Sequence, residues 1–289
     1  MKKLTLQTFL LEGITVIFIF SLGLFIAQKA QRIILKEEIN IPTLTIGEFL
    51  FLFFFGTCLI LFIVYFPKLK KIKGRIFQVV YFFSGAYGIL VTLFLLFSYL
   101  PNNLLFANLL PLLFCALFIY RRAKHPTLLN HNLFIGLGLA GISAMLGLSF
   151  QPEALLILLA LLSIYDFIAV YKTKHMQKMA TSMLKSGTMM GLIIPNKLTN
   201  FCAPLKKVQP GKEYVILGGG DIAFPLMFSS SLISVYGITG SLVVAIFSVF
   251  GILFTLLLFL LQKERKPLPA LPTISFFTVL GYLIVKFVI

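Results

Sequence analysis

The sequence predicts an all-α, multi-pass membrane protein, and three observations carry that reading. Of its 289 residues, 59% are apolar and only 12% charged, and the mean hydropathy is +1.02. A soluble domain carries about 25% charged and about 45–50% apolar residues. The apolar residues gather into nine runs, each near the ~20 residues that cross a bilayer as a helix. The basic residues fall between those runs, in alternate connections.

The runs occupy 4–27, 47–66, 76–99, 104–120, 133–150, 154–171, 214–234, 237–261 and 270–288. The first follows Lys2 and Lys3, as a signal peptide would, but its length and Glu12 favour a retained span. Trp is absent, and Tyr65, Tyr99, Tyr120, Tyr171 and Tyr214 stand near run ends in the interfacial role. Alternate connections on one side hold 21 of the 25 Lys and Arg, and Lys29, Arg32, Lys36 and Lys286 lie on the other. By the positive-inside rule the N-terminus is cytoplasmic and the C-terminus outside, which requires an odd number of spans. The chain thus reads as one transmembrane domain over 1–289 in the cell membrane. Spans one to six fill 1–171, a cytoplasmic loop 172–213, and spans seven to nine 214–289.

The net charge of +16 would suggest nucleic acid in a soluble protein. Here the basic loops orient spans and meet anionic lipid, so no nucleic-acid partner is expected. Cys58, Cys115 and Cys202 show neither disulfide nor zinc spacing. His125, His131 and His175 read as lying in or beside loops, without an HExxH pattern. No GxSG-like serine motif falls in a suitable span. No metal and no cofactor is expected. The 172–213 connection, with Met176, Met179, Met183, Met189 and Met190 among its lysines, exceeds an ordinary loop. A solvated linker, an amphipathic surface helix and a substrate-gating segment all fit it.

The chain contains two aspartates, Asp166 and Asp221, and both lie within apolar runs. An acid at membrane depth costs at least about 2.5–3.5 kcal/mol on insertion scales, which makes it a functional candidate. Asp166 stands six residues before Lys172, at the cytoplasmic end of its span, and Asp221 eight residues after Glu213, where the next begins, about 9 and 12 Å at ~1.5 Å per residue. Two antiparallel spans would so bring two carboxylates to one level. Carboxylates a few ångströms apart share one proton, which supplies a base and an acid together. The ionised member can activate water against a peptide carbonyl, while the protonated member assists the oxygen and then the leaving amine.

Gly218, Gly219 and Gly220 precede Asp221, and Pro225 follows one turn later. Each glycine costs a helix about 1 kcal/mol relative to Ala. Irregular backbone at membrane depth is tolerated where it is buried in protein or lines a cavity. No Lys-Ser/Thr follows, so a phosphate loop does not fit. Pro269-Ala270-Leu271-Pro272 opens the last run at the depth of the aspartates. Its fixed φ angles and missing donors could shape a wall beside them.

With Tyr165-Asp166, Gly218-Gly219-Gly220-Asp221 and Pro269-Ala270-Leu271-Pro272 in order, the chain resembles the presenilin/signal peptide peptidase family of GxGD intramembrane aspartyl proteases. Within it, the chain looks most like a prokaryotic, archaeal presenilin homologue. The resemblance implies nine spans, with Asp166 and Asp221 as the catalytic pair and Tyr165 lining the site. It implies close packing around Asp221 at Gly218, Gly219 and Gly220, and a site and substrate groove shaped by Pro269, Ala270, Leu271 and Pro272. Its substrates would be transmembrane proteins or signal-peptide remnants, unwound before cleavage. The cytoplasmic N-terminus matches the presenilin branch. No accessory subunit is implied, a homo-oligomer stays open, and no large hydrophilic insertion for self-cleavage separates spans six and seven. The alternative is a proton- or cation-coupled transporter or channel using the paired acids. Against it, the chain shows no inverted repeat and its acids sit off the midplane. For Glu12, packing or a tertiary hydrogen bond is favoured over catalysis.

Overall fold

The computed structural model describes residues 6–39, 73–98, 104–173, 186–208, 213–262 and 267–288, together with positions 45, 47, 48, 51, 55, 183 and 184. It is mostly helical. Five helices run in order: α1 (Leu6–Lys36), α2 (Lys73–Phe97), α3 (Leu104–Lys124), α4 (Leu128–Ser149) and α5 (Pro152–Ile168). A single π turn, Ala169–Thr173, extends α5. Strands β1 (Gly191–Pro195) and β2 (Tyr214–Gly218) follow, and then helices α6 (Gly219–Ser231), α7 (Ile233–Leu261) and α8 (Leu271–Val288). Among the described residues, six helices are long and apolar enough to cross a membrane: α1, α2, α4, α5 with its π turn, α7 and α8. The second expected span, 47–66, lies almost wholly outside the described residues.

One expected helix is only partly helical. The run 214–234 begins as strand β2 and turns into a helix of 13 residues at Gly219. The cause is local: Tyr214-Val215-Ile216-Leu217 suits a strand, and three consecutive glycines oppose helix nucleation. Strand β2 satisfies its backbone by pairing antiparallel with β1, in the register Gly191 opposite Gly218 through Pro195 opposite Tyr214. An all-α reading therefore misses a two-stranded sheet, with β1 in the expected loop and β2 at the start of the expected seventh span. Two 3₁₀ turns, Leu198–Cys202 and Leu205–Lys207, complete the described part of that connection.

Helix α4 lies at the centre, against α1, α2 and α6, while α7 and α8 pair with each other and α5 joins α8. The main core joins Val16, Ile19, Phe20 and Leu24 of α1 to Phe134 of α4, Ile222 and Leu226 of α6, Ile252 of α7 and Ile274 of α8. In lipid no hydrophobic gain separates helix from solvent, so small residues and interhelical hydrogen bonds carry the packing. Thr92 Oγ1 of α2 donates to Leu137 O of α4 at 2.9 Å, and Ser248 of α7 meets Thr278 of α8 at 2.9 Å. At the α2–α4 crossing the backbones themselves touch. A Cβ on Gly88 would lie 2.1 Å from Gly138 O, and one on Gly141 would lie 2.1 Å from Gly88 O.

The clash at Gly141 is with backbone, which cannot swing aside. Overpacking of this kind typically costs about 1–3 kcal/mol. Gly141→Ala should therefore lower the melting temperature in detergent, as read by thermal denaturation, while Gly47→Ala, which meets nothing within 4 Å among the described residues, should leave it unchanged.

Candidate active site

Asp166 lies in the last turn of α5 and is buried. Its carboxylate reaches the start of α8. Leu271 N–H donates to Asp166 Oδ2 at 3.1 Å, and the N–H of Ala270 faces the same carboxylate. Ala270 O accepts the first intrahelical bond of α8, from Ile274 N at 3.1 Å. Ala270 is thus the N-cap residue and Leu271 the first helical one. Helix starts leave unpaired N–H groups and a partial positive charge, and a carboxylate satisfies both. Pro272, next in line, brings no N–H to satisfy. Pro269 and Pro272 flank this contact and are half-buried. One turn before Asp166, Ser163 Oγ meets Ser275 Oγ at 2.9 Å and fastens α5 to α8 a second time.

Asp221 is held at a helix start of its own. Gly218 is the N-cap of α6, which makes Asp221 the third helical residue. The buried carboxylate turns back toward the backbone of Gly218, as the acidic residue of a capping box does. The neighbouring Gly219 N–H donates to Met190 O, beside β1, at 2.9 Å. The carboxylates of Asp166 and Asp221 lie within electrostatic reach of each other.

The glycines are required by these approaches. A Cβ on Gly218 would fall 2.8 Å from Asp221 Oδ2, and one on Gly219 would fall 2.8 Å from Met190 O. Gly220 faces Phe224 instead, with a virtual Cβ at 3.1 Å from the ring. Tyr165 is 61% exposed and so lies on a different face of α5 from Asp166. Among the described residues no three His, Cys, Asp or Glu side chains converge as a metal would need.

Two placements go beyond the sequence. Glu12 of α1 is buried and within electrostatic reach of Asp221, and its Oε2 has no hydrogen-bond partner among the described residues. Its run shows that Glu12 is embedded, but the lateral order of helices that brings it to Asp221 leaves no local mark. His131, read as loop-associated, lies in the first turns of α4 and is fully buried. The Thr127 N-cap, which accepts from Asn130 N at 3.3 Å, starts α4 earlier than the apolar run does and draws His131 inside.

Gly218→Ala isolates the geometry of Asp221. The clashing atom is the end of a side chain, so the carboxylate moves and the fold adjusts. With Asp221 catalytic, as the resemblance implies, cleavage of a transmembrane substrate is expected to drop by at least about tenfold, given how steeply reaction rates depend on placement. The melting temperature should change little, and both are measurable on one purified sample.

The Signal-peptide peptidase, presenilin aspartyl protease family matches residues 14–289. No curated protein matches the chain. Among solved structures, a presenilin family intramembrane aspartate protease in a C222 crystal form aligns with TM-score 0.59 and 19% identity, covering 94% of each chain. A presenilin family intramembrane aspartate protease in a P2 form aligns with TM-score 0.61 and 18% identity, covering 95% of this chain and 96% of that one. The family match spans nearly the whole sequence, and the chain belongs to the signal-peptide peptidase and presenilin family of intramembrane aspartyl proteases.

Proposed function

We propose that Asp166 and Asp221 are the catalytic pair with which this intramembrane aspartic endopeptidase hydrolyses a peptide bond of a transmembrane substrate. One observation carries the reading. The only two aspartates of the chain, 55 residues apart, are both buried, each with its carboxylate at the start of a helix, and within electrostatic reach of each other. Structural aspartates would not need to be brought together, since like charges in a poorly solvated site repel.

In the working state one proton is shared by the pair. The ionised carboxylate takes a proton from water, and the resulting hydroxide attacks the substrate carbonyl carbon. The protonated partner donates to the carbonyl oxygen, giving a neutral gem-diol. Collapse of that intermediate breaks the C–N bond as a proton passes to the amine. The backbone N–H of Leu271 holds the Asp166 carboxylate, and the glycine turn at Gly218 keeps that of Asp221 in place. A helical substrate hides its carbonyls in its own hydrogen bonds, so the scissile segment must be extended when it arrives. Tyr165 stands on the open side of α5, where a substrate helix would approach, and Pro269 and Pro272 border the site from the other side.

The proposed topology is nine spans over 1–289, with the N-terminus and the 172–213 connection in the cytoplasm, the C-terminus outside, and the cell membrane as location. The asymmetry of Lys and Arg between alternate loops supports it. Cys202 is exposed and Cys115 buried, which offers a native probe. In a Cys58→Ala, Cys115→Ala background, a membrane-impermeant thiol reagent should label Cys202 only after the cells are permeabilised. Labelling of intact cells would reverse the orientation.

The pair itself is tested by Asp166→Asn and Asp221→Asn. Each exchange keeps an acceptor oxygen for the backbone donors and removes one proton-transfer group. Cleavage of a single-span substrate in detergent should vanish in either variant. The double variant should be no worse, because members of one catalytic unit are not additive. A well-folded Asp221→Asn enzyme cutting at the wild-type rate would refute the assignment.

A further inference from the structure

We propose that Arg122, Tyr81 and His131 are positioning residues for the reaction: a buried hydrogen-bond chain that fixes the 187–191 backbone against which the Asp221 turn is seated. The proposal rests on the assignment of Asp221 made above.

All three side chains are buried, and they come from three helices, α3, α2 and α4. Arg122 Nε donates to Tyr81 Oη at 3.0 Å, and Tyr81 Oη lies 3.1 Å from His131 Nδ1. His131 Nε2 lies 2.9 Å from Gly191 O. The donor inventory allows one assignment. Guanidinium only donates, so the tyrosine oxygen accepts there and its O–H is left to donate to Nδ1. A backbone carbonyl only accepts, so the imidazole proton sits on Nε2. Arg122 Nη2 donates to Gly187 O, at the other end of the same segment. Asn132, next to His131, grips Ile193 of β1 twice, donating to its O at 2.8 Å and accepting from its N–H at 3.0 Å.

Between the two anchored carbonyls stands Met190, whose own carbonyl accepts the N–H of Gly219. Gly219 is the first residue of α6, two before Asp221 and next to Gly218, which holds the Asp221 carboxylate. Backbone contact is close on both sides: a Cβ on Gly191 would lie 2.5 Å from Leu217 O. A shift of the 187–191 segment therefore has no slack to absorb it before it reaches Asp221. Both partners of Arg122 among the described residues are neutral, so within them its burial gains no ion pair to offset the cost of desolvation. Precision at Gly187 and Gly191 is what the arrangement obtains.

Tyr81→Phe removes one oxygen and splits the chain, while the ring keeps its stacking on Phe134. His131→Leu removes both imidazole bonds, and His131→Gln restores a donor toward Gly191. The purified full chain would be assayed on a fluorogenic single-span substrate, with active sites counted by titration against a tight transition-state-analogue inhibitor. Destabilisation lowers the number of sites; mispositioning lowers the rate per site. Tyr81→Phe should reduce kcat per titrated site about tenfold with KM within about twofold, and His131→Leu about a hundredfold, partly recovered in His131→Gln. An unchanged kcat per site in Tyr81→Phe, with or without loss of melting temperature, would overturn the proposal. Asp221→Asn in the same assay separates the two readings. If it is inactive while Tyr81→Phe is unaffected, the positioning role alone fails; if it is active, both fail.

Discussion

Everything in this site depends on two helices that begin inside the protein. The first N–H groups of any α-helix have no partner in their own helix, and a bilayer offers no water to supply one. α8 begins at Leu271 and α6 at Gly219, and each start is closed by a carboxylate: Asp166 from α5 on α8, Asp221 from within α6 itself. Helix starts at this depth create the demand for negative charge, and the two aspartates meet it. The same contacts fix their direction. The positive ends of two helices converge on one pair of carboxylates, which is how two acids can be kept together away from water.

That convergence needs helices closer than ordinary side chains permit. Gly88, Gly138 and Gly141 let α2 and α4 touch through their backbones, and Ser163 with Ser275 ties α5 to α8 one turn from Asp166. Gly218, Gly219 and Gly191 do the same where β1, β2 and α6 meet. The strand pair belongs to this logic. Irregular backbone beside Asp221 is tolerated because β1 pairs with β2 and Met190 O takes the Gly219 N–H.

How much of this was legible in the sequence depends on the range of the interaction. Hydropathy places α1, α2, α4, α5, α7 and α8 because a membrane helix is defined by its own residues. Counting along the chain predicts one level for Asp166, Asp221 and Pro269–Pro272, and in the structure Asp166 meets Leu271. Lateral order does not follow, so the electrostatic reach between Glu12 and Asp221 and the Arg122–Tyr81–His131 chain carry no local signal. The strands fail for another reason. Gly191-Leu192-Ile193-Ile194-Pro195 is five residues inside a Lys- and Met-rich connection, and its partner begins 23 positions after it. Such a run is as good a helix fragment as a strand until the pairing is known.

The dual duty of the aspartates constrains how the site can be read by mutation. Asp166 is at once a candidate catalyst and the cap of α8, and a lost cap costs about 0.5–2 kcal/mol in ordinary helices. An exchange to Ala would remove chemistry and cap together, leaving the N–H groups of Ala270 and Leu271 buried without an acceptor. The amide of Asn keeps an acceptor oxygen for them and cannot take up or release the proton. Asp221 differs in degree, since the backbone it faces, at Gly218, is three residues away on the same chain and moves with it. Asp166 joins two helices, whereas Asp221 closes a turn. The tertiary arrangement therefore leans on Asp166, and the local fold of the glycine turn on Asp221.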